Sequence, residues 1–201
     1  MLIFAAAVFF LIITPGPGVL SAAGVGAGYG ARPGTRYVLG LFVGTNIVCL
    51  AVVSGLAAVV LADPRIRAIL FAASTCYLIY LALKIALAGS RIAFIEAKRE
   101  PGFRDGMILN LLNPKAYAVN TTLFSGFAFE GTSLAMETVL KFVILNAIWL
   151  PIHFLWLAMG ITLHRLDLPQ RSQRIINICM SLSMLIVVGL AVLYQVKGTS
   201  Q

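Results

Sequence analysis

Six apolar runs, at residues 2–25, 37–61, 66–87, 107–129, 138–163 and 175–196, set the terms on which this chain can fold. Each is close to the roughly 20 residues that a helix needs to cross a hydrocarbon core about 30 Å thick. No water reaches that core to satisfy an unpaired N–H or C=O, so only helices and closed barrels can span it. Barrel strands would read as segments of about ten residues alternating apolar with polar. These runs are longer and apolar on every face, so they read as helices. Six spans use up most of the 201 residues and leave no room for a separate catalytic domain.

Charge is scarce and unevenly spread. Only 11% of the residues are charged, against about a quarter in soluble domains. A net charge of +8 would suggest nucleic acid in a soluble protein, but in a membrane protein basic residues crowd the cytoplasmic loops, and no nucleic-acid partner is expected. Arg32, Arg36, Arg91, Lys98, Arg99, Arg104, Arg165, Arg171 and Arg174 fall in loops one, three and five, nine in all, against Arg65, Arg67, Lys141 and Lys197 on the other side. The bias puts loops one, three and five in the cytoplasm and both termini on the periplasmic side. No Lys or Arg precedes the first run, which therefore reads as a retained span rather than a cleaved leader.

Two spans are interrupted. The first contains Thr14-Pro15-Gly16-Pro17-Gly18, where the prolines leave the carbonyls of Leu11 and Ile13 without their usual helical donors. The fourth contains Asn110-Leu111-Leu112-Asn113-Pro114-Lys115, where Pro114 frees the carbonyl of Asn110. Unpaired backbone at membrane depth is tolerated only where protein buries it or a watery cavity meets it, so both stretches are candidate binding segments. Pro15 and Pro114 lie 99 positions apart, and Asn46 and Asn146 lie 100 apart. Three spans per half make a duplicated half re-enter the membrane inverted, and matched interruptions in two inverted halves point to a transport site near the bilayer middle. The expected architecture is an all-α membrane protein of six transmembrane helices in two inverted three-helix repeats, with helices one and four broken. Residues 1–90 form the first half, 91–106 a cytoplasmic connection and 107–201 the second half.

Thr14-Pro15-Gly16-Pro17, the glycines and arginine of Gly30, Arg32, Gly34, Gly40 and Gly44, Tyr77-Leu78 with Leu81, and Asn110-Leu111-Leu112-Asn113-Pro114-Lys115-Ala116 together resemble the lysine/homoserine-type amino-acid exporters, the LysE/RhtB family. The resemblance runs nearly end to end. It implies a bacterial inner-membrane protein that exports amino acids or close analogues, driven by the proton gradient. Two positions depart from the family pattern: Gly18 stands where an Asn is usual, and Thr45-Asn46 where an Asp is often found. All seven acids, Asp63, Glu96, Glu100, Asp105, Glu130, Glu137 and Asp167, fall in or beside loops, so no carboxylate stands at depth to carry a proton.

Among the polar residues inside the runs, Lys115 is the deepest charge, and a cation near a helix centre costs on the order of 2.5 to 3.5 kcal/mol by insertion scales. It is the candidate anchor for a substrate carboxylate, with snorkelling to the surface as the other reading. Lys84 lies near a helix end and snorkels. Asn46, Asn113, Asn120, Asn146 and Asn177 read first as interhelical hydrogen-bonding groups, with Asn46 and Asn113 nearest the breaks. His153, beside Pro151, is the candidate proton carrier. Gly24, Gly26, Gly28, Gly30, Gly40 and Gly44 have the small-residue spacing that lets helices approach within the chain; a homo-oligomer contact is the less favoured use. Trp149 and Trp156 suit packing or cavity lining. Cys49, Cys76 and Cys179 stand singly, read as packing residues, and give no metal or redox spacing, so neither a metal nor a cofactor is expected.

The expected site therefore comprises Thr14, Pro15, Gly16, Pro17, Gly18, Asn46, Asn110, Asn113, Pro114 and Lys115. Lys115 and the N–H groups of Gly16 and Gly18 would hold a small zwitterion's carboxylate, and freed carbonyls with the Asn46 and Asn113 amides its ammonium. A structural or regulatory membrane subunit without transport, and an exporter of another small polar solute or ion, are the alternatives. A membrane-embedded enzyme is not supported, because no nucleophile stands with a base inside the spans.

Overall fold

The computed structural model describes residues 1–14, 16–55 and 100–165, and beyond these only scattered positions of 63–86 and 171–186. The described residues form six helices and no strand: α1 (Leu2–Ile13), α2 (Pro17–Tyr29), α3 (Ala31–Val53), α4 (Phe103–Leu112), α5 (Pro114–Ser125) and α6 (Leu134–Arg165). Pro15, Arg67, Tyr77, Leu78, Leu81, Lys84, residues 91–99, Asn177 and Lys197 lie outside the described residues, as does most of the third and sixth apolar runs.

Among the described residues, Ala31–Val53 and Leu134–Thr162 are each long and apolar enough to cross a membrane, and Leu2–Ile13 with Pro17–Tyr29 would make a third span bent by 52°. The helix ends depart from the hydropathy reading wherever charge sits on a helix. Helix α3 starts at Ala31, so Arg32 and Arg36 are helical and exposed rather than in a loop. Helix α4 starts at Phe103, four residues before the apolar run, with the carboxylate of Asp105 accepting from the Gly102 N–H at 2.8 Å. A polar first turn with an acidic N-terminal cap is how a helix begins, and hydropathy alone passes over it.

Lys141 also departs from its assignment to an outer connection. It lies on α6, is buried, and donates to the Glu137 carboxylate at 2.6 Å and to the Phe124 carbonyl at 2.9 Å. The other oxygen of Glu137 accepts from the Phe129 N–H at 2.9 Å. A buried charge needs a partner and satisfied hydrogen bonds; this pair has both and pins the turn between α5 and α6. Of the cysteines, Cys49 is buried as a packing residue should be, whereas Cys76 and Cys179 are exposed; a thiol is a weakly polar group that an apolar solvent tolerates.

Two seams hold the described helices together, and glycine makes both. A Cβ on Gly40 would fall 1.9 Å from the Phe103 carbonyl oxygen, and one on Gly106 would fall 2.1 Å from that of Tyr37, so α3 and α4 touch backbone to backbone. A Cβ on Gly160 would fall 2.1 Å from the Ala23 carbonyl oxygen and one on Gly26 2.8 Å from that of Leu157, which joins α2 to α6 in the same way. Between the seams Phe4, Val8, Val25, Tyr37, Leu41, Leu109, Leu123 and Leu145 form a continuous buried core.

Candidate functional site

The two proline interruptions build two helix starts of different finish. Helix α4 ends at Leu112 because Pro114 has no N–H and restricts the residue before it; Asn113 is extended, with φ −75° and ψ 108°. Pro114 then opens α5 at its first position, and the Asn113 side chain caps it, its Oδ1 accepting from the Lys115 N–H at 3.1 Å. The Asn110 carbonyl, expected to be free, accepts from the Asn113 N–H at 3.2 Å, because the chain tightens by one residue there.

The other start is unfinished. Gly16 precedes α2 in an extended conformation, φ −163° and ψ 177°, with Pro17 in the first turn and no side chain to cap it. The N–H groups of Gly18 and Val19 have no carbonyl within α2 to bond. Their partial positive charge makes that helix end an anion-favouring surface.

These two starts meet. The Lys115 amine donates to the Thr14 carbonyl at 2.8 Å, so a side chain from the start of α5 ties down the end of α1, 101 positions away in sequence. Thr14 turns its own hydroxyl back to the Phe10 carbonyl at 2.5 Å. Around the junction opens a cavity of about 480 Å³, its mouth included. Leu11, Ile12, Val19, Ala116, Val119, Leu145 and Trp149 give it apolar walls; Thr14, Gly16, Gly18, Thr45, Asn110, Asn113, Lys115, Asn120 and His153 supply the polar points.

Most of those polar points are held from behind. Asn110 donates to the Leu41 carbonyl at 3.0 Å and to the Thr45 hydroxyl. Asn120 donates to the Ala116 carbonyl at 2.8 Å and accepts from the Cys49 thiol at 3.1 Å. His153 stacks on Trp149, centroids 3.4 Å apart and planes 11° from parallel, with Nδ1 3.0 Å from the Trp149 carbonyl. A carbonyl only accepts, so Nδ1 carries the hydrogen, and Nε2 of the neutral ring is a bare acceptor.

Of the residues expected at the site, Thr14, Gly16, Gly18, Asn110, Asn113, Lys115 and His153 line the cavity; Pro17 and Pro114 shape it from the helix starts without lining it. Asn46 is elsewhere. Its amide and that of Asn146 bond reciprocally, at 3.1 and 2.9 Å, and its Nδ2 also reaches the Phe42 carbonyl at 2.9 Å. Thr45, Asn120 and the apolar wall were not picked out from the sequence as binding residues. A signal for Thr45 and part of the apolar wall exists: Gly16 with Ala116, Val19 with Val119 and Thr45 with Leu145 are lining pairs separated by the same 100 positions as Asn46 and Asn146.

A family model described as LysE type translocator matches residues 9–196. The chain is 28% identical over 151 residues to an uncharacterized membrane protein of Pseudomonas aeruginosa, covering 68% of this chain and 70% of that one. It is 26% identical over 146 residues to a leucine efflux protein of Enterobacter sp. (strain 638), covering 67% and 69% of the two chains. It is 29% identical over 123 residues to a leucine efflux protein of Salmonella typhimurium, covering 59% of this chain and 58% of that one. No solved structure matches the chain.

Proposed function

Because the chain belongs to the LysE type translocator family, we propose that it is a secondary transporter of the bacterial inner membrane that exports a neutral amino acid with an apolar side chain. The observation that carries this reading is the junction at Lys115: a cation held on a backbone carbonyl, beside the uncapped start of α2, in a cavity with otherwise apolar walls. A carboxylate offers Lys115 a stronger partner than the Thr14 carbonyl, since hydrogen bonds between charged groups are roughly twice as strong as neutral ones. The Gly18 and Val19 amides stand ready for its second oxygen. Burying an aliphatic side chain against Leu11, Val119 and Leu145 would add roughly 1.5 to 3 kcal/mol. No carboxylate lines the cavity among the described residues, so a basic side chain would find no counter-ion there. The names of the leucine efflux relatives agree with an apolar substrate.

The inverted-repeat architecture belongs to the same proposal. Its support is the reciprocal Asn46–Asn146 pair, together with the three lining pairs at the same offset of 100. Equivalent residues of two repeats face one another only at the axis relating them. The bend between α1 and α2 and the junction at Asn113 then become broken spans one and four, with the substrate at the repeat interface near the bilayer middle. Rocking of the repeats exposes the cavity to one side and then the other, and the excess of basic residues in loops one, three and five sets both termini in the periplasm. Export runs against proton entry, with His153 as the titratable group of the cavity.

Cells that make the protein and cells that lack it, loaded with a leucine-containing dipeptide, provide the test. The expected result is a lower intracellular and higher external leucine level in the first, lost when a protonophore collapses the gradient. Equal levels in the two strains across all the neutral amino acids would overturn the reading and favour a non-transporting membrane subunit.

A further inference from the structure

Gly16 and Gly18 stand at either side of Pro17, and each faces one of the two polar side chains of the cavity that act at a distance. A Cβ on Gly16 would fall 3.0 Å from Lys115 Nζ, and one on Gly18 would fall 3.3 Å from His153 Nε2. Two residues of extended chain span at most about 7 Å, so a cation and a bare acceptor overlook one short glycine ledge. The imidazole is fixed there: its ring stacks on Trp149 and its Nδ1–H is held by the Trp149 carbonyl, which turns Nε2 toward the glycine. No group of the described residues engages Nε2.

We infer that His153 Nε2 is a seat shared by the substrate ammonium and the coupling proton, occupied by one or the other and never by both. This rests on the exporter reading given above and adds to it the group that couples the two flows. In an amino acid a single carbon separates the carboxylate from the ammonium. With the carboxylate on Lys115, the ammonium lies over Gly18 and donates one of its hydrogens to Nε2. Once Nε2 has taken a proton, its N–H opposes the ammonium N–H and the imidazolium repels the cation, so the substrate leaves.

The charge balance follows. The neutral ring carries the zwitterion outward with no net charge, and the protonated ring returns with one proton, so each amino acid exported admits one proton and moves one positive charge inward. Around the ring, α5 presents Lys115; on α3 the Cys49 thiol donates to Asn120; on α6 itself Lys141 pairs with Glu137; and α1, α2 and α4 bring no titratable group to the lining among the described residues.

The test uses the full chain in proteoliposomes with labelled leucine, comparing leucine counterflow without a gradient with uptake driven by a pH gradient. Wild type should do both, with a proton-to-leucine ratio of one. Removing a hydrogen-bond acceptor from a charged donor should raise the leucine KM of His153→Leu about tenfold or more. His153→Gln offers an acceptor where Nε2 stood but takes no proton; its counterflow should recover well above that of the Leu variant while the pH gradient no longer concentrates leucine. Gly18→Ala, which sets a methyl against Nε2 and leaves the histidine in place, should raise KM several-fold. A His153→Gln protein that still concentrates leucine on a pH gradient, or a His153→Leu protein with unchanged KM, overturns the inference while leaving the exporter reading intact. Wild-type protein with no counterflow of leucine or any other neutral amino acid overturns both.

Discussion

The start of α5 and the start of α2 are the same device at two levels of completion. Each follows a helix end, each puts proline in its first turn, and each faces the cavity. At α5 the Asn113 side chain caps the first turn and the Asn113 N–H meets the preceding carbonyl, so the joint is satisfied by the chain itself. At α2 glycine replaces the capping residue, and the amides of Gly18 and Val19 have no carbonyl within their own helix to bond. Losing a side-chain cap costs about 1 kcal/mol when alanine replaces it but only a few tenths when glycine does, and the chain forgoes those few tenths at α2. The difference teaches that one interruption is a closed joint while the other leaves helix-start donors uncapped, although the proline pattern is alike in both. Lys115 links them, since it grows from the finished start and reaches the unfinished one.

The largest expected effect comes from cutting that link. Lys115→Met keeps an unbranched side chain one atom shorter and deletes its charge; leucine export should fall about 100-fold through loss of a charged hydrogen bond, while membrane content, read by immunoblot, stays at the wild-type level. Next is Pro17→Ala, which restores an N–H in the first turn of α2 and lets the segment approach a continuous helix; export should drop about tenfold, since a misplaced binding group can cost that much or more. Undiminished export from Pro17→Ala would sink the idea that the interruption is what binds.

Smaller effects separate the closed joint from the uncapped start. Asn113→Ala removes the cap of α5 and should lower stability in detergent by about 1 kcal/mol, measured by thermal unfolding, with KM changed less than stability. Gly16→Ser does the reverse. A serine there would cap the open amides of α2, a gain of a few tenths of a kcal/mol once the flexible Lys115 side chain shifts from its Cβ, yet raise the leucine KM about threefold by occupying the donors a carboxylate would use and displacing Lys115. If Asn113→Ala and Gly16→Ser shifted KM alike, the contrast between the two starts would not hold.

The interruptions and the deep lysine were legible in the sequence because their signals are local: a proline removes a donor wherever it stands, and a charge inside an apolar run is conspicuous. What met Lys115 was not legible. The proline positions point to free carbonyls at Leu11, Ile13 and Asn110, but the Lys115 amine rests on the carbonyl of Thr14, and the Asn110 carbonyl accepts from Asn113. Hydropathy places helix starts too late where Arg32, Arg36 and Arg104 ride on helices, because it reads a charged first turn as loop. The spacing of 100 that relates Asn46 to Asn146 also pairs Val19 with Val119 and Thr45 with Leu145 in the cavity wall. Such pairings join residues far apart in the chain and are invisible in any single window of sequence.

The Lys141–Glu137 pair bears on how the protein is made as well as on how it holds together. Both partners lie on α6, one turn apart, so the pair can form as soon as that turn coils and needs no other helix to be present. The first turns of a nascent α6 therefore meet the insertion machinery with their lysine already paired to a glutamate one turn earlier, although the sequence shows Lys141 as a charge near the start of an apolar run. Charge that governs how a nascent chain is oriented is charge left unpaired at that moment, and by that measure Lys141 leaves the set of basic residues that orient the chain in the bilayer.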